Sequence, residues 1–489
     1  MPNASETEKI VNTARIAFAQ WKEKTIAERI PYISALRKAI VKNLDTIAAV
    51  IKEDTGKVDV EVLNSDVLPS LELIKYYEKQ APKILAPQKK KISFLFFNHD
   101  AYLEYKPLGV VLIIVPWNCP LQLSVVPLVS ALLAGNAVIL KPSELTPRSG
   151  DLMRTLCHEA GMPNDLVQVV PGGKEVGEAL IQAGPDKIFF TGSFEAGKNI
   201  MAQAANNMTP VVLELGGKDP MIVFEDADID RAAEAVVYGA FAHAGQLCVS
   251  IERLYVQESI FDRFVSRVVN RMATVRVGTT SESDLGPVIS SAQIERIEDQ
   301  IHDARTKGAT FLNDPMQQGS LLYPLALTNV NHGMKLLCEE TFGPLLPIMP
   351  FKTEEEAIAL ANDSPYGLNA SVWSRDLKKA KRVVSRLETG NAYINDVIKN
   401  IGNPHLPFGG VKKSGFGKYH GPEGLRAFSI ETAVMINKSK GKREINWFPY
   451  TAELAKTVRG LITVLYAGLP LREKIKIFLR IRRFMKTLQ

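Results

Sequence analysis

The chain has 489 residues, too many for one ordinary hydrophobic core and enough for two or three domains. A composition of 46% hydrophobic and 23% charged residues is that of a soluble globular protein and excludes a largely disordered chain. The net charge of +6 is unevenly placed: residues 438–489 hold thirteen Lys/Arg against three Glu, so the rest sums to −4 and does not suggest a nucleic-acid-binding body.

The first residues, Met1 to Lys9, are polar and lack the apolar core of a secretory leader. Cys119, Cys157, Cys248 and Cys338 are widely separated, so reduced thiols in the cytoplasm are expected. From Asn12 to Asn43 the pattern is helical, with Phe18, Trp21 and Ile30 among charges, and a second helix is expected over Leu68 to Gln80. Between Lys89 and Leu108 two β-like runs, Ile92 to Phe97 and Tyr102 to Tyr105, flank Asn98-His99-Asp100 and suggest a hairpin.

From Gly109 strands and helices alternate. The run Gly109 to Val115 is continuously apolar, as in a buried parallel strand. A helix from about Leu121 stops at Gly135, and the strand Ala137 to Leu140 follows. A helix ends near Gly161 before the strand Val167 to Val170. Another helix follows Gly172-Gly173 and leads to the strand Lys187 to Thr191, then a helix and the strand Pro210 to Glu214. This predicts a doubly wound α/β domain, with ligands at the carboxyl ends of its strands. A second α/β alternation runs from Gly217 to about Asp396, with helices near Asp230–His243, Ile260–Met272, Ala292–Thr306 and Glu354–Asn362.

Five segments carry side chains suited to chemistry. Cys248 follows a Gly-Gln turn closing a helix, where backbone N–H groups can depress a thiol's pKa; a buried structural cysteine is the commoner fate of such a residue. Glu214 ends an apolar strand ahead of Gly216-Gly217, a place for a general base or merely for a solvated carboxylate. Trp117-Asn118, in a loop fixed by Pro116 and Pro120, offers an amide donor for an oxyanion, or only a turn-forming Asn. Lys141 and Glu144, just past a strand, suit ribose hydroxyls. Gly192-Ser193 opens a helix whose N-terminus is a seat for phosphate, or simply a capped helix start.

Together these segments resemble the aldehyde dehydrogenase superfamily. The resemblance extends through Glu339-Glu340-Thr341-Phe342-Gly343-Pro344 and Leu406 to Gly415, and spans roughly residues 10–437. Asn395-Asp396-Val397-Ile398, Tyr419-His420-Gly421 and the C-terminal extension look most like the class 3 branch, which includes fatty aldehyde dehydrogenases. The resemblance implies that Cys248 is the nucleophile, that Asn118 stabilises the oxyanion and that Glu214 activates water. It also implies that NAD, with NADP accepted as well, is held by Trp117, Lys141, Glu144, Gly192, Ser193, Glu340 and Phe342. No metal site is expected. Lens-type relatives that have lost catalysis are the alternative; Cys248, Glu214 and Asn118 standing together argue against it.

A P-loop reading of Gly192 to Lys198 fails at Asn199, where Ser or Thr would have to ligate magnesium. Many relatives have Asn at the position of His243, which is read as a structural partner. Cys119 is read as packing.

The expected architecture is therefore two doubly wound α/β domains. A Rossmann-like cofactor domain comprises 1–85 and 110–213, and a catalytic domain comprises 214–395. A hairpin oligomerisation element combines 86–109 with 396–437, and the family resemblance implies a homodimer. The tail, 438–489, places Leu471, Ile475, Phe478, Ile481, Met485 and Leu488 at helical spacing among Arg472, Lys476, Arg480, Arg483 and Lys486. Such a basic amphipathic helix suits a membrane surface, and with it lipophilic aldehydes; packing on the body or on a second subunit is the alternative.

Overall fold

The structure, a computed structural model, describes residues 4–440, 443–444 and 446–487. It divides into two compact units, one of residues 1–86 and 105–431, the other of 87–104 and 432–489.

The larger unit contains two mostly parallel sheets, each with one antiparallel edge strand. The first runs in the order Gly415–Phe416, Val211–Glu214, Lys187–Thr191, Val110–Ile114, Ala137–Lys141 and Val167–Val169. Only the edge strand Gly415–Phe416 is antiparallel. Strands Val110–Ile114, Ala137–Lys141 and Lys187–Thr191 are buried at every position, because helices cover both faces. Chain order reverses between Val110–Ile114 and Lys187–Thr191, which opens a crevice at their carboxyl ends. The second sheet runs Thr310–Phe311, Leu325–Thr328, Leu345–Phe351, Ile251–Gln257, Asp219–Val223, Ser371–Trp373 and Tyr393–Ile394.

Differences from the expected elements have local causes. The long N-terminal helix is two, Ala4–Trp21 and Ile26–Lys42, broken where Thr25 and Glu28 form a capping box. A further helix, Leu44–Thr55, follows and ends at Gly56 in the left-handed region. The helix over Leu68 extends to Ile84. The helix Pro120–Leu133 is buried along its whole length, with Asp66 accepting from the Leu121 N–H at 3.0 Å at its N-terminus.

In the smaller unit, Gln88–Lys89 pairs antiparallel with Leu103 and Tyr102. The first hairpin strand is thus earlier than the apolar run suggested: Phe94–Phe96 is a single 3₁₀ turn. Ser429–Asn437 joins the other side of His99–Pro107 in a three-stranded sheet. Two helices follow, Ala452–Tyr466 and Leu471–Thr487, with Gly460 facing Ile477. Of the tail residues expected to form an apolar stripe, Leu471, Ile475 and Phe478 are exposed and Ile481 is buried; Leu488 lies outside the described residues. No helix of the described residues is long and apolar enough to cross a membrane.

Candidate active site

A cavity of about 380 Å³ opens at the crevice of the first sheet. All ten residues singled out above line it: Trp117, Asn118, Lys141, Glu144, Gly192, Ser193, Glu214, Cys248, Glu340 and Phe342. They come from six strand ends or loops spread over more than two hundred residues. A second cavity, of about 860 Å³, meets the first at Asn118 and Cys248, which line both.

Each wall is built by ordinary local chemistry. Ser193 caps the helix Phe194–Ala205, leaving that helix N-terminus facing the first cavity. Lys141 is buried with its ammonium 3.2 Å from the more exposed Glu144 carboxylate. Gly217 permits a close approach, since a Cβ there would stand 2.6 Å from the Cys248 carbonyl oxygen. Gly216 does the same beside Glu340, and the Gly217 N–H donates to the Glu340 carboxyl at 3.0 Å.

The Asn118 side-chain N–H₂ donates to the Gln246 carbonyl at 3.0 Å, which leaves its second N–H free to meet a ligand oxygen. Gln246 ties the cysteine loop together. Its amide donates to the His243 and Pro287 carbonyls, and its oxygen accepts from the Ile289 N–H. His243 and Ala244 both lie in the left-handed region, at φ 53° and 54°.

The electrostatics correct one expectation. The Cys248 thiol is not acidic: burial, then the carboxyls of Glu340 and Asp219, push its pKa well above the ordinary value. The turn supplies backbone donors but no cation close enough to outweigh those acids. Glu214 is also raised well above the usual carboxylate range by burial, with Lys418 partly opposing, and both its oxygens lack a hydrogen-bond partner. Burial, then Glu252, raises Glu340 as well. Burial, then Lys57, lowers His243 well below the ordinary imidazole value, so it stays neutral, and its backbone N–H donates to Glu61. Cys119 is buried beside the Lys57 ammonium at 3.3 Å.

Several supporting residues have no signal in the sequence, because their partners are distant. Lys57 is fully buried in an ion pair with Asp66 at 2.6 Å, beneath the Asn118 loop. Lys218 pairs with Glu252 at 2.6 Å. Glu252 in turn accepts from the Thr341 and Phe342 N–H groups at 2.8 and 3.0 Å, holding Phe342 at its positive φ of 53°. Only Lys218, next to the double glycine, stood near a segment already marked by its sequence.

The arrangement places a thiol, an amide donor and a carboxyl on the walls of one cavity, which a helix N-terminus also faces. The profile of the Aldehyde dehydrogenase family matches residues 2–434. A 4,4'-diapolycopene aldehyde oxidase from Methylomonas sp is 46% identical, over 93% of this chain and 86% of the relative. Among solved structures, an NAD-dependent aldehyde dehydrogenase from Sinorhizobium meliloti superposes with a TM-score of 0.86 at 34% identity, covering 91% of this chain and 89% of its own. Betaine aldehyde dehydrogenase from Staphylococcus aureus in complex with NAD+ gives 0.83 at 32% identity, with the same coverage of each chain.

Proposed function

This chain belongs to the aldehyde dehydrogenase family, and from that premise we propose that it oxidises lipophilic aldehydes to carboxylic acids with NAD, through a thioester on Cys248. The observation that carries this reading is the meeting of both cavities at Cys248 and Asn118, with Glu214 on the wall of the first.

The first cavity suits a dinucleotide. Its volume is within the range of cofactor-sized sites. Ser193 and the helix it caps suit a pyrophosphate, Lys141 and Glu144 a ribose, and Glu340 the second ribose beside Phe342 and Trp117. NAD supplies the hydride acceptor. The Glu144 carboxylate disfavours a 2′-phosphate, so NAD is preferred and NADP tolerated.

In the proposed reaction Cys248 gives up its thiol proton to solvent and the resulting thiolate sulfur adds to the aldehyde carbon. Asn118, through the N–H not engaged by Gln246, and the Cys248 backbone N–H hold the developing oxyanion. Loss of hydride leaves an acyl group on Cys248. Glu214 then takes a proton from water as that water attacks the thioester, which releases the acid and restores the thiol. Burial of an unpaired carboxyl at Glu214 is what makes it basic once ionised.

The second cavity suits a long apolar chain, with Val58, Val237, Phe241, Leu247 and Ile401 on its walls. The relative named for diapolycopene aldehyde supports the same substrate class. We place the chain nearest the class 3 branch, as a homodimer built through the hairpin and residues 396–437. Its cofactor domain is read as 1–85 and 110–213 and its catalytic domain as 214–395, with the basic helix Leu471–Thr487 resting on a membrane surface.

The test is reduced-cofactor formation from NAD with hexanal and decanal, for wild type and Cys248→Ala. Turnover that is lost in Cys248→Ala and favours decanal supports the reading. Folded protein that binds NAD but turns over neither aldehyde would overturn it.

A further inference from the structure

The smaller unit concentrates two properties. It carries sixteen Lys/Arg against five Asp/Glu, a net charge of +11, while the larger unit is left at −5. Among the described residues nine aromatic side chains are exposed, and seven belong to this unit, which has only 76 of the 489 residues. The family match ends at residue 434, so most of this charge lies beyond the part shared with the family.

Five of those aromatics fall into two neighbouring groups. Phe96 and Phe97 follow Lys89-Lys90-Lys91 at the hairpin tip, and Phe97 is 67% exposed. Trp447, Phe448 and Tyr450 precede the terminal helices, at 53%, 77% and 67% exposure. Hydrogen bonds hold the segments bearing these groups together. The Lys438 N–H donates to the Asn98 carbonyl at 2.8 Å, and its ammonium reaches Asp100 at 2.5 Å. The Asn437 amide donates to Glu444 at 2.8 Å, and the Glu444 carbonyl accepts from the Trp447 N–H at 3.1 Å. Both aromatic groups thus flank one strand end, among Lys438, Lys440 and Arg443.

We propose that this aromatic and basic cluster, Phe96, Phe97, Trp447, Phe448 and Tyr450 with its surrounding lysines, is a docking platform for an anionic membrane surface. Aromatic rings, apolar with a polar rim, favour the level of lipid headgroups, and clustered Lys/Arg are drawn to anionic lipids. The net charge of +11 carried by this unit complements an anionic surface. The platform deepens the membrane reading of the tail helix without depending on it, since none of its residues lies in Leu471–Thr487. A bilayer contact here would also suit an enzyme whose substrates partition into lipid.

The experiment uses the full chain with vesicles of phosphatidylcholine alone or of equal phosphatidylcholine and phosphatidylglycerol, read by sedimentation and by tryptophan emission. Trp21 and Trp373 are buried and Trp117 lines the first cavity, so Trp447 reports the platform. The expected result is sedimentation with anionic vesicles only, reversed by high salt, with a blue shift of Trp447 and quenching by acyl-chain-brominated lipid. The variant F96S/F97S/W447S/F448S should keep aldehyde oxidation in solution and lose roughly tenfold or more in vesicle affinity. A separate variant, I475S/F478S, probes the tail helix. Platform-variant binding equal to wild type would overturn the proposal; if I475S/F478S alone loses binding, the tail reading stands without the platform. Wild type that ignores both vesicles, with a platform variant that falls from dimer to monomer, would assign the patch to a second copy instead.

Discussion

Glu61 accepts a hydrogen bond from the backbone N–H of His243, 182 residues away in the chain and five residues before Cys248. The bond braces a turn in which two consecutive non-glycine residues are left-handed, a conformation that costs roughly 1–2 kcal/mol per residue. The turn carries Gln246, whose carbonyl orients Asn118. Glu61 is therefore a positioning residue for the thiol and the oxyanion donor alike.

Glu61→Ala should reduce kcat roughly tenfold through this loop, with NAD affinity unchanged because Glu61 does not line the first cavity. Burial lifts the Glu61 pKa to about 7, against the His243 N–H and Lys57. The charged acceptor is thus present above about pH 7 and lost as pH falls through it. Wild-type kcat should decline through that range, and Glu61→Gln should lack this step. A pH profile of both proteins checks it, and an unchanged step in Glu61→Gln would contradict it.

Lys418 is the main charge lowering the Glu214 pKa against burial, and it donates to the Gly409 carbonyl beside that carboxyl. Lys418→Met should raise the Glu214 pKa further. The onset of thioester hydrolysis then moves to higher pH, so kcat falls more at about pH 7 than at about pH 9. Pre-steady-state hydrolysis rates measure this directly.

Much of the site was legible because strand-end chemistry is local. Glu214 closes an apolar strand, Ser193 caps a helix and Asn118 sits between two prolines, and each signal lies within a few residues. The thiol's environment was not legible. Its acidity depends first on burial and then on Glu340 and Asp219, which the chain brings in from other loops, so the backbone donors of the turn do not decide it. The same limit hid Glu61, Lys57 and Glu252, whose partners are between 9 and 182 residues away. In the hairpin, the apolar run Ile92 to Phe97 suits a strand, yet Phe94–Phe96 is a 3₁₀ turn, because periodicity cannot separate a buried strand from an exposed apolar turn.

Glu214 is buried and without a hydrogen-bond partner. Its folded pKa is raised above the unfolded value, so its contribution to stability is intact below about pH 4.5 and is lost as pH rises toward the folded pKa. Glu214→Gln removes that loss. Its thermal midpoint should exceed wild type by a few degrees at about pH 8, with the difference shrinking toward about pH 4. Calorimetry across that range checks the sign.

Glu144 is more than half exposed, so solvent screens its charge and its effect on cofactor choice is modest. Glu144→Gln should raise the NADP-to-NAD ratio of kcat/KM severalfold rather than by orders of magnitude. Parallel kinetics with both cofactors read this out, and an unchanged ratio would remove Glu144 from cofactor selection.

The central claim is a thioester on Cys248 that Glu214 resolves. The most direct measurement is intact and peptide mass spectrometry of Glu214→Gln mixed with NAD and decanal. The account predicts one equivalent of reduced cofactor and a decanoyl group on the peptide containing Cys248, removed by hydroxylamine. Reduced cofactor formed without an adduct, or an adduct on Cys119 instead, would contradict it.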